Sequence, residues 1–579
     1  MKITIAKTAG FCMGVRRAVE MVLSAPNRHK GPIHTYGPLI HNPQVLQLLE
    51  EKDIFALDKI PERGEGTVLI RAHGVPPQAS EDLAKAGFNV IDATCPRVIK
   101  VQSIIKKHAA KGFETIIVGD QDHAEVVGLL GYAGKSGHVV NSLDQIKTLA
   151  LSLPETSQAI IVAQTTQNKL FFDKIRQWAA AEKPHYKIFD TICDSTEKRQ
   201  KEITRMAESV DAVVVVGGRN SGNTQRLAEI AGQTGKPSYH VESEEELDMD
   251  ALRTSACIGI TAGASTPKWI IRKICRQIED IDLSRRQKWH KILFMIQRTL
   301  LLTNIYVSMG AGCLCYACCR LQGITDFLPY VLITIMYVQS MHMLNNLTGR
   351  KADQYNDPDR AAFYDKHAFF LTLLAVICGA AGLLTAATKG LLPFLLLAAM
   401  SGLGLSYKLK ILPDGIFKGK CRRIKDIPGS KTILIAMAWG VVTSLFPRLS
   451  VSGMLTMSSI SVFIFATFMV FVRTAFFDIL DIQGDRIRGR DTIPILIGEK
   501  KTLSLLRSVL GIVCVVLFLS VVFNLVPAWG SVLLLLPALM FSVLSIYAHR
   551  PILPGIRLEF LVETHFILAG LITVILHDF

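Results

Sequence analysis

Three cysteines, Cys12, Cys95 and Cys193, each stand in a short polar turn: KTAGFCMGVRRA, DATCPRV and DTICDSTEKRQ. Their separations of 83 and 98 residues give no local zinc signature of the C-x-x-C kind. Thiolates from distant parts of a chain can still share one centre. Three of them suit an iron–sulfur cluster with one iron left open, whereas an electron-transfer cluster takes four. Spacing alone fits three buried structural cysteines equally well.

The histidines move the balance toward a site. His41 follows GPLI, His73 follows VLIRA, and His123 sits in GDQDHAEV with Glu125 two residues on. Hydroxyl and amide groups join them: Thr165 and Thr166 in QTT; Ser221, Asn223 and Thr224 in RNSGNT; Ser265 and Thr266 in TAGAST. A single Ser before a helix reads as an N-cap. So many donors at strand ends read as an anion site, the more so because RNSGNT follows DAVVVVGG and opens a helix.

Carboxylates form a second constellation. Asp353, Asp357 and Asp359 lie in NNLTGRKADQYNDPDR, and Asp478, Asp481 and Asp485 in DILDIQGDRIRGRDTIPILIGEK. Spacings of three and four put the last three on one helical face, where like charges repel unless a cation lies among them. Hard oxygen ligands beside phosphates suit Mg²⁺. A further cluster, Cys313, Cys315, Cys318 and Cys319 in CLCYACC, lacks a His or acidic partner and reads as packing.

Two kinds of element must position these groups. Up to Asp280 the runs TVLIRAHG, ETIIVGD, QAIIVAQTT and DAVVVVGG alternate with helical patterns, as buried parallel strands do. Ligands of such sheets sit outside the carboxyl ends of the strands. From Thr299 nine apolar segments follow: 299–319, 327–347, 368–388, 391–407, 432–446, 454–472, 508–525, 531–547 and 560–576. The net charge of +15 is uneven: residues 1–280 hold 35 Lys and Arg against 33 Asp and Glu, and the remainder holds 29 against 16. Those later cations sit between apolar runs, which points to a membrane and away from nucleic acid. They crowd the connections after the second, fourth, sixth and eighth segments, while Arg320, Lys389 and Arg448 lie on the other side. The positive-inside rule makes the crowded side cytoplasmic. The chain opens MKITIAKTAGF without an apolar leader, so the first half is expected in the cytoplasm and the second as a multi-pass segment of the cell (inner) membrane.

The strings FCMGVRRA, GPLIHNPQV, AHGVP, DATCPRVIKV, DHAEV, QTT, TIC and TAGASTP, in that order up to about Asp280, resemble the 4-hydroxy-3-methylbut-2-enyl diphosphate reductase family. The resemblance implies that Cys12, Cys95 and Cys193 ligate a 4Fe–4S cluster whose fourth iron meets the substrate. It implies that His41, His73, His123, Ser221, Asn223 and Ser265 hold the diphosphate, that Glu125 handles protons with Thr165 beside it, and that reduced ferredoxin or flavodoxin supplies electrons. Gly222 stands where many relatives carry a second Ser.

Asp478–Gly498 and Tyr407–Gly440 resemble UbiA-type intramembrane prenyltransferases, over roughly Ile292 to the end of the chain. This implies Mg²⁺ and a prenyl diphosphate held by Asp353, Asp357, Asp478, Asp481 and Asp485. Tyr407, Lys425 and Arg486 would be further phosphate or cation contacts, and the acceptor is unknown. The first motif departs from the pattern: its usual Asn would fall on Gly349, with Asn345 and Asn346 nearby. A working reductase with a non-catalytic membrane anchor therefore stays open. The expected organisation is an α/β domain over 1–280, of three α/β units around an iron–sulfur centre; a basic linker over 281–297; and an all-α, nine-helix transmembrane bundle over 298–579, in contact with membrane lipid.

Overall fold

In the computed structural model the described residues are 2–285, 288–353, 356–407, 427–487, 489–549 and 555–577, the side chains of 27, 282–285, 350–353 and 577 excepted. The chain divides into two compact units, Met1–Arg285 and Arg286–Phe579. The division falls inside the stretch read as a basic linker, of which Lys288 onward belongs to a helix, Lys288–Leu302.

The first unit holds three four-stranded sheets, every pairing parallel. Across one sheet the strands run Ile54–Leu57, Ile33–Tyr36, Thr67–Ile70, Asn89–Asp92. Across another they run Gly137–Val140, Glu114–Val118, Ala159–Ala163, Lys187–Ile188. Counted along the chain, both have the order 2-1-3-4. The remaining sheet runs Ser238–Val241, Ala212–Val216, Cys257–Ala262, Lys2–Ile5. Taking Ala212–Val216 as its first strand, it has the same order, with the fourth strand supplied by the start of the chain. The three units are thus topological copies, one of them circularly permuted.

Burial follows position in the sheet. The inner strands TVLI, AIIVA and AVVVV are buried at every residue, as strands covered by helices on both faces must be. The edge strands Ile54–Leu57 and Ser238–Val241 are partly exposed. In the order 2-1-3-4 the connections leave strands 1 and 3 in opposite directions, which opens a crevice beyond their carboxyl ends.

The second unit is helical, and each of the nine apolar segments is largely helical, the first running across two helices. By length and composition, six of the described helices can cross a membrane: Ala368–Thr388, Ser430–Ser452, Met457–Leu480, Glu499–Val522, Ala528–His549 and Ile556–Leu576. A seventh span exists if Lys288–Leu302 and Ile305–Leu321 count as one, bent by 72°. The difference from nine has local causes. Leu391–Ser406 has only 16 residues, short of the ~20 an untilted span needs. Leu328–Asp353 places Gln339, Ser340, His342, Asn345 and Asn346 from its middle onward. The bend lies at Asn304, whose left-handed φ of 58° breaks the helix and whose amide donates to Tyr364 Oη at 2.7 Å.

Helix Ser430–Ser452 widens to π geometry at Val441–Leu445, just before Pro447, which has no N–H to offer the turn below. Gln322 and Thr334 donate to the carbonyls of Ser444 and Val442 at 3.1 and 3.4 Å, satisfying backbone that lipid could not. One turn earlier the helix approaches Met457–Leu480 so closely that a Cβ on Gly440 would lie 1.9 Å from Thr467 Oγ1. Gly440→Leu should therefore lower the stability of the detergent-solubilised helical unit by about 1–3 kcal/mol or more, read as a lower thermal midpoint. Gly402→Ala, with nothing within 4 Å, should leave it in place.

Candidate functional site

In each α/β unit the fourth strand ends in a turn whose cysteine caps the next helix. Cys12 caps Met13–Arg28, Cys95 caps Pro96–Ala109 and Cys193 caps Asp194–Ala207. Pro96 at the first helical position favours the start of the second. All three thiols are free and half-buried. Each cysteine N–H donates to a carbonyl of the turn after strand 3 in its own sheet: Cys12 to Ala264 at 3.1 Å, Cys95 to Ala72 at 2.9 Å, Cys193 to Thr165 at 2.9 Å.

The three sulfurs are close enough to act on one another. Burial pushes the Cys95 thiol up, Cys12 and Cys193 push the same way, and the backbone N–H groups of Arg97 and Val98 oppose them. A Cβ on Gly14 would lie 2.4 Å from Cys95 Sγ, so the first turn after Cys12 packs directly on that sulfur. Arg199, 3 % exposed, donates to Gly10 O at 2.6 Å and Ala262 O at 2.8 Å. Burial lowers its guanidinium to about 10, against the pull of Cys12, Glu202 and Cys193. Thiols that oppose one another's ionisation bind best when a metal's charge replaces the protons. Helix N-termini favour the resulting thiolates. The donor set fits an iron–sulfur cluster held by three cysteines.

The turns after strands 1 and 3 carry the polar groups. After strand 1 come His41, His123, and Ser221 with Asn223; after strand 3 come His73, Thr165 and Ser265. They meet across the three units. The rings of His41, His73 and His123 lie 4.8, 5.4 and 5.9 Å apart. Ser265 Oγ donates to His41 O at 3.2 Å and lies 3.1 Å from Ser221 Oγ. A Cβ on Gly222 would lie 3.2 Å from His123 Nε2.

The three histidines bring their nitrogens within 4.8 Å of one another, as a metal site would. Hydrogen bonding argues for an anion instead. His123 Nδ1 accepts the Glu125 N–H at 3.1 Å, so in the neutral ring the proton sits on Nε2, which then donates and cannot ligate. Burial, with Arg71 beside it, lowers His41; burial and the other two rings hold His73 well below its usual range; burial first, then His41, lowers His123 to about 4. These are neutral donors at pH 7. His73 Nδ1, Asn223 Nδ2 and Thr224 Oγ1 are buried with no protein partner, an unmet capacity that phosphate oxygens would fill. Thr166 and Thr266 instead serve the scaffold, taking Gln164 Nε2 and bonding Val216 O, both at 3.0 Å.

Glu125, 1 % exposed, closes the site. Its Oε1 accepts the Thr165 N–H at 2.7 Å, and its Oε2 lies 2.8 Å from Thr165 Oγ1. Burial raises its carboxyl to about 7, although both Thr165 bonds favour the ionised form. With Oε1 already engaged, its proton belongs on Oε2, facing a hydroxyl that can pass it on. Two participants carried no signal in the sequence: Arg199, which reads as one more cation on a solvated helix face, and Arg71, whose charge adjoins all three histidines.

In the helical unit Asp478, Asp481 and Asp485 all lie within electrostatic reach of Lys431. Thr432 Oγ1 donates to Asp478. Asn356 Nδ2 donates to Asp485 Oδ1 at 3.3 Å, which joins the two acidic motifs by a residue that the expected spacing passed over. Asp357 caps helix Pro358–Lys366 through the Arg360 N–H at 3.2 Å, and Asp359 pairs with Arg298 at 3.3 Å. Tyr407 Oη lies 3.4 Å from Ser430 Oγ. The Asp353 side chain and Lys425 lie outside the described residues, and Arg486 sits in helix Ile482–Ile487. Cys315, Cys318 and Cys319 are fully buried in the apolar core of the bundle.

Residues 3–279 match the LytB protein family, and residues 306–555 the UbiA prenyltransferase family. The chain is 40 % identical over 286 residues to the 4-hydroxy-3-methylbut-2-enyl diphosphate reductase of Geobacter sulfurreducens, covering 49 % of this chain and all of that one. Among solved structures it is similar to the E-1-hydroxy-2-methyl-but-2-enyl-4-diphosphate reductase of Plasmodium falciparum, at 28 % identity and a TM-score of 0.45, covering 48 % of this chain and 87 % of the other. It is also similar to a UbiA homolog from Aeropyrum pernix K1, at 16 % identity and a TM-score of 0.38, covering 46 % and 98 %.

Gly14→Ala tests the packing on Cys95. The added methyl must turn Sγ away, so the anaerobically purified variant should hold less than half the iron of the native chain, with unchanged far-UV circular dichroism.

Proposed function

The amino-terminal half of this chain belongs to the LytB protein family and its carboxyl-terminal half is a UbiA prenyltransferase domain, and from that premise we propose that one polypeptide makes five-carbon diphosphates and carries out prenyl transfer at a membrane. The first half reductively removes the hydroxyl of 4-hydroxy-3-methylbut-2-enyl diphosphate, giving isopentenyl and dimethylallyl diphosphate and water. The observation that carries this reading is the buried Glu125–Thr165 pair beside a neutral donor set and three helix-capping thiols.

Cys12, Cys95 and Cys193 would hold a 4Fe–4S cluster, which when bound would supply electrons and polarise the carbon–oxygen bond. The rest falls to side chains. His41, His73, His123, Ser221, Asn223 and Ser265 hold the diphosphate through neutral N–H and O–H donors, which fix the substrate without strong counter-charge. Glu125 keeps a proton on Oε2 at neutral pH, and the Thr165 hydroxyl relays it to the departing oxygen, which leaves as water. A second proton joins the allylic carbon skeleton at either end. Electrons come from a small redox protein such as reduced ferredoxin or flavodoxin.

In the second half Asp478, Asp481 and Asp485, with Asp353 and Asp357 from the first motif, would hold Mg²⁺ and a prenyl diphosphate. Lys431 and Thr432 adjoin Asp478 at 3.8 Å and by a hydrogen bond. The carbon–oxygen bond to pyrophosphate breaks, the allylic cation bonds to the acceptor, and the acceptor gives up a proton. Both sites face the cytoplasm by the distribution of cations. Two observations favour a second reading, a working reductase with a non-catalytic membrane anchor: Asp357 is engaged as a helix cap and faces Arg360 at 3.6 Å, and Gly349 replaces the usual Asn.

Glu125→Gln should lower reductase turnover about 10²- to 10⁴-fold with iron content and pyrophosphate affinity unchanged; substantial retained turnover contradicts the role. Because the acid must be protonated, native turnover should fall as pH rises through about 7. For the membrane half, the native chain should release pyrophosphate from geranyl diphosphate only with Mg²⁺, and Asp478→Asn should abolish it. A native chain that reduces its substrate but releases no pyrophosphate in its own membranes favours the anchor reading.

A further inference from the structure

Two of the membrane-crossing helices carry a charge deep in the bundle. Arg473 lies five residues before Asp478 in helix Met457–Leu480, and Glu563 lies in helix Ile556–His577. Arg473 Nε donates to Glu563 Oε1 at 2.8 Å, and a second guanidinium N–H donates to the same oxygen. The guanidinium carbon stands 5.8 Å from the Trp439 ring and 5.0 Å from the Phe477 ring. His342 and Phe566 flank Trp439 at 5.8 and 5.5 Å. Glu563 is fully buried, yet its Oε2 has no protein partner.

That geometry is incomplete as a staple between helices. A pair serving only to join them gains most from two parallel bonds, one to each carboxylate oxygen. Here one oxygen takes both N–H groups, and the other, in an apolar interior, accepts nothing, which costs free energy unless a ligand supplies a donor. Ionisable groups within membrane spans mark functional sites. The position is suggestive too. Thr432 bonds Asp478, and Trp439, seven residues along the same helix, flanks Arg473. At 1.5 Å per residue the Arg473–Glu563 pair lies about 8–10 Å deeper than the acidic cluster.

We propose that Arg473 and Glu563 form the acceptor site of the prenyl-transfer half, with Glu563 Oε2 receiving a hydrogen bond from a neutral hydroxyl of the acceptor. This rests on the reading of that half as a prenyltransferase. The ion pair is already neutral in sum, so it offers little to a carboxylate headgroup. The aromatic rings around it accommodate an apolar body behind the hydroxyl. Phenols and aliphatic alcohols share that chemistry.

The test uses the full chain in phosphatidylcholine nanodiscs, without prenyl diphosphate, and reads the fluorescence change that Trp439→Phe removes. The probes are 4-hexylphenol, 1-decanol, 4-hexylanisole and 4-hexylbenzoate. Saturable binding of the phenol, the alcohol or both, about tenfold tighter than the ether or the carboxylate, is expected, and the better hydroxyl probe identifies the acceptor class. Glu563→Gln can place an amide N–H where Oε2 accepted; both hydroxyl and ether oxygens can accept from it, so the tenfold preference for the hydroxyl probes over the ether should vanish, which a purely structural pair would not bring about. Arg473→Lys, which preserves the charge pair, should keep the native ranking and guards against misfolding of the first variant. Equal binding of phenol and ether, no saturable binding, or an unchanged ranking in Glu563→Gln overturns the proposal. Pyrophosphate release from geranyl diphosphate in the same nanodiscs reports separately on the prenyl-transfer reading.

Discussion

One backbone hydrogen bond, made three times, ties the site together. In each sheet the N–H of the cysteine after strand 4 reaches the carbonyl of the turn after strand 3, with Ala264, Ala72 and Thr165 as acceptors. The fourth strand's thiol is thereby locked to the turn that carries Ser265, His73 or Thr165. A metal centre and an anion site held independently would drift by the small distances that matter in catalysis. Here any movement of one turn moves both. The parallel sheets make this feasible, because every strand ends on the same side and every following helix presents its N-terminus there.

The same arrangement explains why the site relies on neutral donors. Helix N-termini already favour negative charge, and half-buried Arg71 and buried Arg199 add two cations. Protonated histidines crowded beside Arg71 would repel one another, so burial and proximity keep the rings neutral while leaving their N–H groups. Glu125 belongs to the same balance. It is buried against Thr165, and desolvation raises its carboxyl to about 7, where the proposed acid role needs it.

Much of this was legible in the residues. Hydrophobic runs such as AVVVV and AIIVA announce buried strands, and polar turns after them locate chemistry, so Cys12, Cys95, Cys193, the three histidines and Glu125 could be singled out. The common strand order could not, because apolar runs do not say which strands are neighbours and the permuted sheet joins residues 2–5 to 257–262. Arg199 was invisible because a cation in a helix reads as solvated. In the membrane half hydropathy found the helical segments but not the left-handed break at Asn304, and motif spacing pointed past Asn356. Arg473 falls just beyond the sixth apolar segment and Glu563 inside the ninth, and a sequence does not show that two charges in distant spans face each other.

The proposed reduction needs three protein ligands around one centre, with a coordination position open to substrate. Mössbauer spectroscopy of the full chain, grown on ⁵⁷Fe and purified without oxygen, measures that directly. Four irons per chain should divide three to one, and the single iron should change its parameters when 4-hydroxy-3-methylbut-2-enyl diphosphate is added. Four equivalent, sulfur-saturated irons that ignore the substrate would contradict it.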